Sequence, residues 1–187
     1  GACCYVVPSD GIKYLNIIKF LNDHHITVCS LVPTVLVFLE KHAHSLSFPS
    51  LRYSFFSGDI LYHDLAVKWK SYTPNAELHN FYGPTETTIV CTRYVWNESG
   101  SAKESINNVV PLGQPFTGIE FIILNENNVL ADKHEIGELC LSGDQVIENY
   151  LGNVHKEAFL NYGGKHYYRT GDMVSVNYCG NILFHGR

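Results

Sequence analysis

The chain has 187 residues, of which 45% are apolar and 17% charged, so it is long and apolar enough to fold around a hydrophobic core. Thirteen Lys and Arg stand against eighteen Asp and Glu, and this net charge of −5 argues against a nucleic acid or an anionic membrane as the main partner. The longest apolar run, residues 26–39, is shorter than the span of about 20 residues that a membrane helix needs, and it contains Pro33.

Six cysteines occur at positions 3, 4, 29, 91, 140 and 179, and no two of them have the CxxC spacing of zinc ribbons and thioredoxin-type motifs. We therefore interpret them as reduced, mostly buried thiols of a cytoplasmic protein. The sequence opens without a basic segment or a cleavage-like site, so we expect no signal peptide. The ten histidines include no HxxxH or HExxH pair, and we predict no transition-metal site.

In chain order, the first ninety residues alternate between strand-like and helix-like periods. Strands are predicted at residues 3–7, 26–31, 52–56 and 76–81. Helices are predicted from about residue 12 to 24 with a cap at Ser9 or Asp10, from Pro33 onward, and near residues 62–71. Because strand and helix alternate four times with short links, we predict an α/β fold with a partial parallel β-sheet and flanking helices.

After about residue 100 the helical period disappears, and short apolar runs alternate with turn residues. The apolar runs cover residues 109–112, 119–124, 136–142, 173–176 and 182–184, and turn signals stand at 125–128, 163–164 and 179–181. This pattern predicts a small antiparallel β-barrel subdomain. We therefore divide the chain into an α/β part, residues 1–100, and a β-barrel-like part, residues 101–187.

Two segments follow predicted strands at the edge where open parallel sheets bind ligands. Residues 57–59, Ser-Gly-Asp, follow the third strand, and residues 80–86, NFYGPTE, follow the fourth. Tyr82 offers a flat face for a base, Thr85 offers a hydroxyl for phosphate, and Glu86 offers a carboxylate for Mg²⁺. By composition alone, an ordinary loop with a helix N-cap at Thr85 explains the second segment equally well.

A third candidate segment is YRTGD, residues 168–172. A carboxylate beside a glycine turn, here Asp172, can accept hydrogen bonds from both hydroxyls of a ribose. The alternative is an Asx-type turn in which Asp172 binds its own backbone, and this segment taken alone favours that alternative.

Five segments in this order resemble consecutive motifs of the adenylate-forming superfamily. They are NFYGPTETT (80–88), GELCLSG (137–143), YLG (150–152), YRTGD (168–172) and GR (186–187). The YGPTE form is similar to that of the amino-acid-activating branch, which comprises nonribosomal peptide synthetase adenylation domains and D-alanine–carrier-protein ligases. The resemblance extends over the whole chain and implies the C-terminal part of an α/β subdomain followed by a β-barrel subdomain.

The resemblance also implies roles in nucleotide binding for individual positions. Tyr82 would stack on adenine, and Thr85 would contact the α-phosphate. Glu86 would hold Mg²⁺, Asp172 would bind the ribose hydroxyls, and Arg187 would reach the ribose or phosphate region. The other positions around the nucleotide would be Gly58, Asp59, Ile60, Asn80, Phe81, Gly83 and Pro84.

By the same resemblance, six residues would form the walls of an amino-acid pocket: Ser30, Phe55, Ser57, Phe81, Ile89 and Val90. Phe55 and Phe81 are large and would shorten this pocket, whereas the two serines leave polar lining. We therefore expect a small substrate such as glycine, alanine or serine.

The implied reaction joins an amino acid to ATP, with Mg²⁺ as cofactor, and passes the aminoacyl group to the phosphopantetheine arm of a carrier protein. The family's phosphate loop, its upstream Asp for the substrate ammonium and its C-terminal lysine have no counterpart in this sequence. We therefore expect an internal fragment of a larger enzyme that is inactive by itself. An apolar patch left bare by the missing neighbour would favour self-association.

Two other interpretations stay open. One is a fragment of an acyl-CoA synthetase-type ligase, and the other is a non-catalytic nucleotide-binding or interaction scaffold. The presence of both Glu86 and Asp172 favours a ligase over a scaffold, because a scaffold has no need of a metal carboxylate.

Overall fold

A computed structural model describes residues 1–7, 13–42, 46–132 and 134–187. The described residues form a mixed five-stranded sheet followed by an antiparallel five-stranded sheet that curls into a half-barrel. This arrangement confirms the predicted α/β class with a barrel-like second part. The predicted helix caps Ser9 and Asp10 lie outside the described residues.

The first sheet has the strand order β1-β2-β3-β4-β5, in which the first three strands are parallel and the last two antiparallel. Its strands are β1 (Val28–Leu31), β2 (Tyr53–Phe56), β3 (Glu77–Tyr82), β4 (Thr92–Trp96) and β5 (Gln114–Pro115). The helices of this part of the chain are α1 (Lys13–Asp23), α2 (Thr34–His42), α3 (His63–Tyr72) and α4 (Glu98–Glu104). Helices α1 and α3 begin and end within two residues of their predicted bounds, and α2, for which only a start was predicted, begins directly after Pro33.

Helices α1 to α3 pack on the face of the first sheet that carries Phe56 and Leu78. Helix α2 begins directly after Pro33, whose missing N–H would have no partner in a first helical turn. At the centre of this core, Trp69 is 1% exposed and its indole Nε1 donates to Ser54 Oγ at 2.9 Å. This bond satisfies the one polar group of a large buried side chain, so the core contains no orphaned donor at Trp69.

The second sheet has the strand order β10-β9-β7-β6, and β8 also pairs with β9. Its strands are β6 (Ile119–Leu124), β7 (Gly137–Gly143), β8 (Phe159–Tyr162), β9 (Lys165–Val176) and β10 (Ile182–Gly186). The predicted turn at residues 163–164 joins β8 to β9, and the turn at residues 179–181 lies between β9 and β10. Five of its residues are fully buried: Leu139, Leu141, Val174 and Ile182 form one core cluster, and Cys140 belongs to another.

Three predictions about strands were wrong. Residues 3–7 form no strand, and Val6 is 81% exposed, because no described strand supplies hydrogen bonds to this segment. The apolar run 109–112 forms only isolated bridges, since Pro111 has no N–H to contribute to a ladder. The segment 168–172, expected between hairpins, lies inside the long strand β9. The antiparallel strand β4 was not predicted at all.

Backbone hydrogen bonds join the two sheets directly. The Leu112 N–H donates to the Ile182 carbonyl and the Ile182 N–H donates to the Gly113 carbonyl, each at 2.8 Å. Gly113 has φ +85°, and a Cβ atom at this position would lie 2.0 Å from the Arg93 carbonyl oxygen. Only glycine fits this close approach. The division of the chain at residue 100 stays a prediction.

Within the described ranges, none of the helices combines the length and the apolar character that crossing a bilayer would require.

Candidate active site

A cleft of about 270 Å³ lies where the carboxyl ends of β2 and β3 face β9 and the end of β10. Ten of its lining residues are predicted nucleotide-site residues: Gly58, Asp59, Ile60, Asn80, Phe81, Tyr82, Gly83, Pro84, Asp172 and Arg187. The first eight come from the first sheet and the loops that follow its strands, and the last two from β9 and the residue after β10. The structure thus brings together segments that are about 90 residues apart in the sequence.

A hydrogen bond crosses this cleft. The phenol of Tyr82 donates to Asp172 Oδ2 at 2.6 Å, and the side chain of Asp172 is only 12% exposed. Burial, followed by the negative charge of Asp172, raises the pKa of Tyr82 far above its ordinary value. Tyr82 therefore stays a neutral donor at any physiological pH, and Asp172 remains an acceptor at the centre of the cleft.

Arg187 lies beside Asp172 and also acts electrostatically on Glu86. Its Nε is 3.5 Å from Asp172 Oδ1, and its guanidinium also lowers the pKa of Glu86. Of the predicted nucleotide-site residues, Thr85 and Glu86 do not line the cleft that contains Asp172. The Arg187 side chain is 72% exposed, so solvent screens its interaction with Asp172.

Glu86 lies on a short 3₁₀ turn, Thr85–Thr87, directly after Pro84. Its carboxylate accepts a hydrogen bond from the Tyr150 phenol, and its backbone carbonyl accepts the Ile147 N–H at 2.9 Å. Burial by itself would raise the pKa of Glu86, but hydrogen bonds from Tyr150, its own backbone and Tyr168 outweigh this effect and lower it. An ionised carboxylate among hydroxyl groups is the kind of hard oxygen donor that Mg²⁺ prefers, so Glu86 fits the predicted metal.

Asn80 is a buried residue in the wall of the cleft. It is 3% exposed, and its Nδ2 donates to the Pro111 carbonyl at 2.9 Å. This bond fixes the 109–112 segment against β3. At the rim, Asp59 Oδ1 accepts a hydrogen bond from the Ile60 N–H at 2.8 Å.

The predicted amino-acid pocket is only partly assembled in this structure. Ser30 pairs in register with Phe55, and the rings of Phe55 and Phe81 meet edge to face with centroids 5.3 Å apart. In contrast, Ile89 is 74% exposed and therefore encloses no pocket here. The backbone of Val90 is fixed instead through its carbonyl, which accepts Gln145 Nε2 at 2.8 Å.

Ser57 continues the same edge of the sheet, and its N–H donates to the Leu31 carbonyl at 3.3 Å. Behind the two phenylalanines, His79 is 5% exposed, stacks on Phe81 at 5.9 Å and meets the edge of Phe55 at 5.3 Å. Burial lowers the pKa of His79, which favours a neutral ring packed among aromatic neighbours.

Five further residues line the cleft and were not predicted as site residues: Leu61, Val109, Val110, Leu112 and Phe184. They form its apolar wall. The apolar runs at 109–112 and 182–184 were visible in the sequence, but nothing in one sequence indicates which distant segment they face. Tyr150 and Tyr168 were also missed as partners of Glu86, although both lie in motifs that carried the resemblance.

A wider depression of about 540 Å³ lies elsewhere, between β4, β5 and Asn181. Its carboxylate, Glu104, already accepts hydrogen bonds from Asn177 Nδ2 at 2.7 Å and Asn181 Nδ2 at 2.6 Å. Since these polar groups pair with one another, the smaller cleft is the better candidate site. In the described part of the chain, no group of three or more His, Cys, Asp or Glu side chains converges as a metal site.

Comparisons with known proteins indicate the family of the chain. Residues 1–151 match the family model of the AMP-binding enzymes. Over its whole length the chain is 33% identical to a component of the linear gramicidin synthase of Brevibacillus parabrevis and 32% identical to gramicidin S synthase 1 of Brevibacillus brevis. It covers 4% of the first relative and 16% of the second.

Solved structures give the same result. The fold is similar to that of the Vibrio cholerae adenylation domain AlmE in complex with glycyl-adenosine-5'-phosphate, with a TM-score of 0.84 and 35% identity over 98% of this chain. It is also similar to IdnL7, with a TM-score of 0.86 and 29% identity over 93% of this chain. The chain spans 35% and 36% of these two structures.

Three findings lead to one conclusion: the family model matches, the whole of this chain aligns with a part of two peptide synthetases, and the fold is shared. The chain belongs to the AMP-binding enzymes of the adenylate-forming superfamily, and its relatives are adenylation domains of nonribosomal peptide synthetases.

Proposed function

We propose that this chain is part of an ATP-dependent amino-acid-adenylating ligase. The ligase forms an aminoacyl-AMP and pyrophosphate from Mg-ATP and a small amino acid, and then passes the aminoacyl group to a carrier-protein thiol with release of AMP. The observation that carries the proposal is the convergence of Tyr82, Asp172 and Arg187 from two sheets on one cleft.

The cleft has the chemistry that an adenosine moiety needs. One wall is apolar, with Ile60, Val110 and Leu112, and suits the faces of a purine. Beside it, Asp172 offers carboxylate oxygens that can accept both ribose hydroxyls. A ribose hydroxyl would replace the phenol of Tyr82 on Asp172 and leave that ring free to stack on the base.

The principal obstacle to the reaction is electrostatic. A bond forms between an oxygen of the amino-acid carboxylate and the α-phosphorus, and the bond from that phosphorus to pyrophosphate breaks. The nucleophile is already an anion, so it needs no general base, but it is repelled by the triphosphate. Mg²⁺ held by Glu86 would supply the neutralising charge. Arg187, at the cleft, would add a second cation, and Thr85 a hydroxyl for a phosphate oxygen.

The substrate pocket supports a small amino acid. Phe55 and Phe81 meet edge to face and would shorten a pocket beside them, and Ser30 and Ser57 would leave polar lining. The 35% identical AlmE structure carries a glycyl adenylate, which agrees with glycine, alanine or serine for the present chain.

The partner of the ligase would be a carrier protein with a phosphopantetheine arm, and solved adenylation–carrier di-domain proteins of the same fold support this. We expect the chain by itself to be inactive and to self-associate through the half-buried sheet face that carries Tyr53 and Phe55. All six cysteines lie in described residues and are free, which suits a cytoplasmic protein. Three of them, Cys3, Cys4 and Cys179, are exposed, so the prediction of mostly buried thiols was wrong.

The test is ATP–pyrophosphate exchange by the full-length protein with a panel of amino acids. We expect exchange with glycine, alanine or serine and a loss of at least about 100-fold in Glu86→Gln, because a charge that stabilises the transition state is lost. Asp144→Asn, an exposed carboxylate, is the matched control and should retain exchange.

Other outcomes separate the alternatives. Exchange only with a large aromatic amino acid would refute the small pocket. Activity with fatty acids and coenzyme A would indicate the acyl-CoA synthetase-type ligase. Nucleotide binding without exchange, unchanged by Glu86→Gln, would indicate a scaffold.

A further inference from the structure

Asp172 lies at an irregularity of β9, not in a regular stretch of it. The pairing of β9 with β7 shifts register between Glu138 and Cys140, and Gly171, opposite this shift, has φ +72°. Such a bulge turns the next side chain to a direction that regular pairing would not allow. The presence of Asp172 in the cleft therefore depends on whatever holds this bulge.

Glu138 contacts two residues of the bulge. Its Oε1 accepts the Gly171 N–H at 3.0 Å, and its Oε2 accepts hydrogen bonds from the Arg169 guanidinium, including Nε at 2.9 Å. The Glu138 side chain is only 17% exposed. One carboxylate thus ties the Arg169 side chain to the Gly171 backbone, and it does so away from bulk water, where charge-assisted bonds are strong.

Thr170 completes the fixation from the other face of the strand. It is 2% exposed, its Oγ1 donates to the Leu139 carbonyl at 2.8 Å, and the same oxygen accepts the Asp172 N–H at 3.0 Å. The three residues before Asp172 are therefore each bonded to β7, either to the side chain of Glu138 or to the carbonyl next to it.

We propose that Glu138 is a positioning residue that holds the bulge of β9, so that the Asp172 carboxylate meets the ribose hydroxyls of the nucleotide. This inference rests on the proposed function, in which Asp172 binds ribose. Glu138 itself does not line the cleft that contains Asp172 and acts through Gly171 and Arg169.

A purely structural ion pair would behave differently. Glu120 and Lys165 form such a pair in the same sheet, at 2.6 and 2.5 Å, but both side chains are more than half exposed and neither touches the cleft. Loss of an ordinary stabilising contact weakens the binding of all nucleotides alike. Loss of a contact that positions Asp172 weakens only those nucleotides that carry the ribose hydroxyls.

The experiment compares ATP with 2',3'-dideoxy-ATP, using titration calorimetry on the full-length protein without amino acid. We expect the wild type to bind ATP about tenfold or more tightly than the dideoxy analogue, because hydrogen bonds to a charged group are lost. In Glu138→Ala this ratio should fall to about twofold or less, with little change in the affinity for the analogue. Glu120→Ala is the matched control and should keep the wild-type ratio.

A second variant covers the case in which Glu138→Ala does not fold. Glu138→Gln is nearly isosteric and removes the charge that binds the Arg169 guanidinium and the Gly171 N–H, and it should also lower the ratio. An unchanged ratio in either folded variant would overturn the inference. If instead the wild type fails to distinguish the two nucleotides, the assignment of Asp172 to ribose, and with it the proposed function of this site, is wrong.

Discussion

The two sheets contribute to the cleft in different ways. The first sheet provides residues from the ends of strands and the loops that follow them, such as Gly58 and Pro84. The second sheet provides Asp172 from the interior of its longest strand, where a bulge redirects the side chain. Strand ends are natural ligand sites in a parallel sheet, whereas an interior position of an antiparallel sheet needs a local irregularity. The first contribution follows from topology and the second from specific side-chain contacts.

The largest effect is expected where the two sheets join. Gly113→Ala places a Cβ 2.0 Å from the Arg93 carbonyl oxygen, so the backbone must move and the bonds to Ile182 break. We expect the free energy of unfolding to fall by more than about 3 kcal/mol, as measured by urea denaturation.

Gly118→Ala is the matched control for this change. Gly118 also has a positive φ, +88°, but a Cβ there meets nothing within 4 Å. Its substitution should cost about 1–2 kcal/mol from backbone strain alone. Equal losses in the two variants would show that the contact between the sheets does not depend on close approach at Gly113.

The next largest effect is expected at Asp172, which lies inside strand β9 of the second sheet. Asp172→Asn keeps an acceptor for the Tyr82 phenol but removes the charge, so nucleotide affinity of the full-length protein should fall roughly 10- to 100-fold. Calorimetry with ATP measures this loss, and Asp144→Asn, an exposed aspartate, serves as the reference. A similar affinity in both variants would contradict the central role of Asp172.

A smaller effect is expected at Glu86 and its hydrogen-bond partner Tyr150. Tyr150 donates to Glu86 and lowers its pKa, so Tyr150→Phe should raise that pKa. Function that requires ionised Glu86 is lost as pH falls through this pKa, and the acidic limb of the exchange profile should therefore move to higher pH. We expect a shift of less than about one pH unit.

The control for Tyr150→Phe is Tyr162→Phe, at an exposed tyrosine, which should leave the acidic limb of the exchange profile unchanged. An acidic limb that stays in place in Tyr150→Phe, or moves to lower pH, would show that the phenol does not stabilise the charged form of Glu86.

The smallest perturbation is chemical labelling, which leaves both sheets intact. Burial raises the pKa of the Cys29 and Cys91 thiols to about 11 and that of Cys140 to about 12, so these three should resist iodoacetamide at pH 8 in the folded chain. The exposed Cys3, Cys4 and Cys179 should react readily.

In increasing urea, labelling of Cys29 reports the opening of the first sheet, and labelling of Cys140 reports the opening of the second. Mass spectrometry resolves the sites, and rapid labelling of Cys140 in the native chain would contradict its burial.

The sequence predicted the parts of the fold that depend on local periodicity. Strands β6, β7 and β10 and helix α3 lie within a few residues of their predicted positions, because apolar spacing and turn residues determine them locally. The segment 109–112 has the same apolar character but forms only isolated bridges, because Pro111 has no N–H for a ladder; the N–H groups of Val110 and Leu112 donate to Leu61 and Ile182. A single sequence does not reveal such partners.

The site shows the same division. The segments 57–59 and 80–86 were located from strand ends alone, whereas YRTGD alone favoured a self-bonded turn. Asp172 instead bonds to Tyr82, and its own N–H is satisfied by Thr170 Oγ1. That outcome depends on Glu138 and on the pairing of β7 with β9, which no local pattern contains. Only the resemblance to a family linked these segments in advance.

The backbone hydrogen bonds between Leu112, Gly113 and Ile182 have a further consequence for binding. They hold the two walls of the cleft at a set spacing before any ligand arrives, so a molecule that contacts both walls meets a preorganised site. Binding then loses little conformational entropy of the protein, and more of the contact free energy appears as affinity. The heat-capacity change of complex formation should accordingly reflect the surface of the cleft alone, without a contribution from coupled folding.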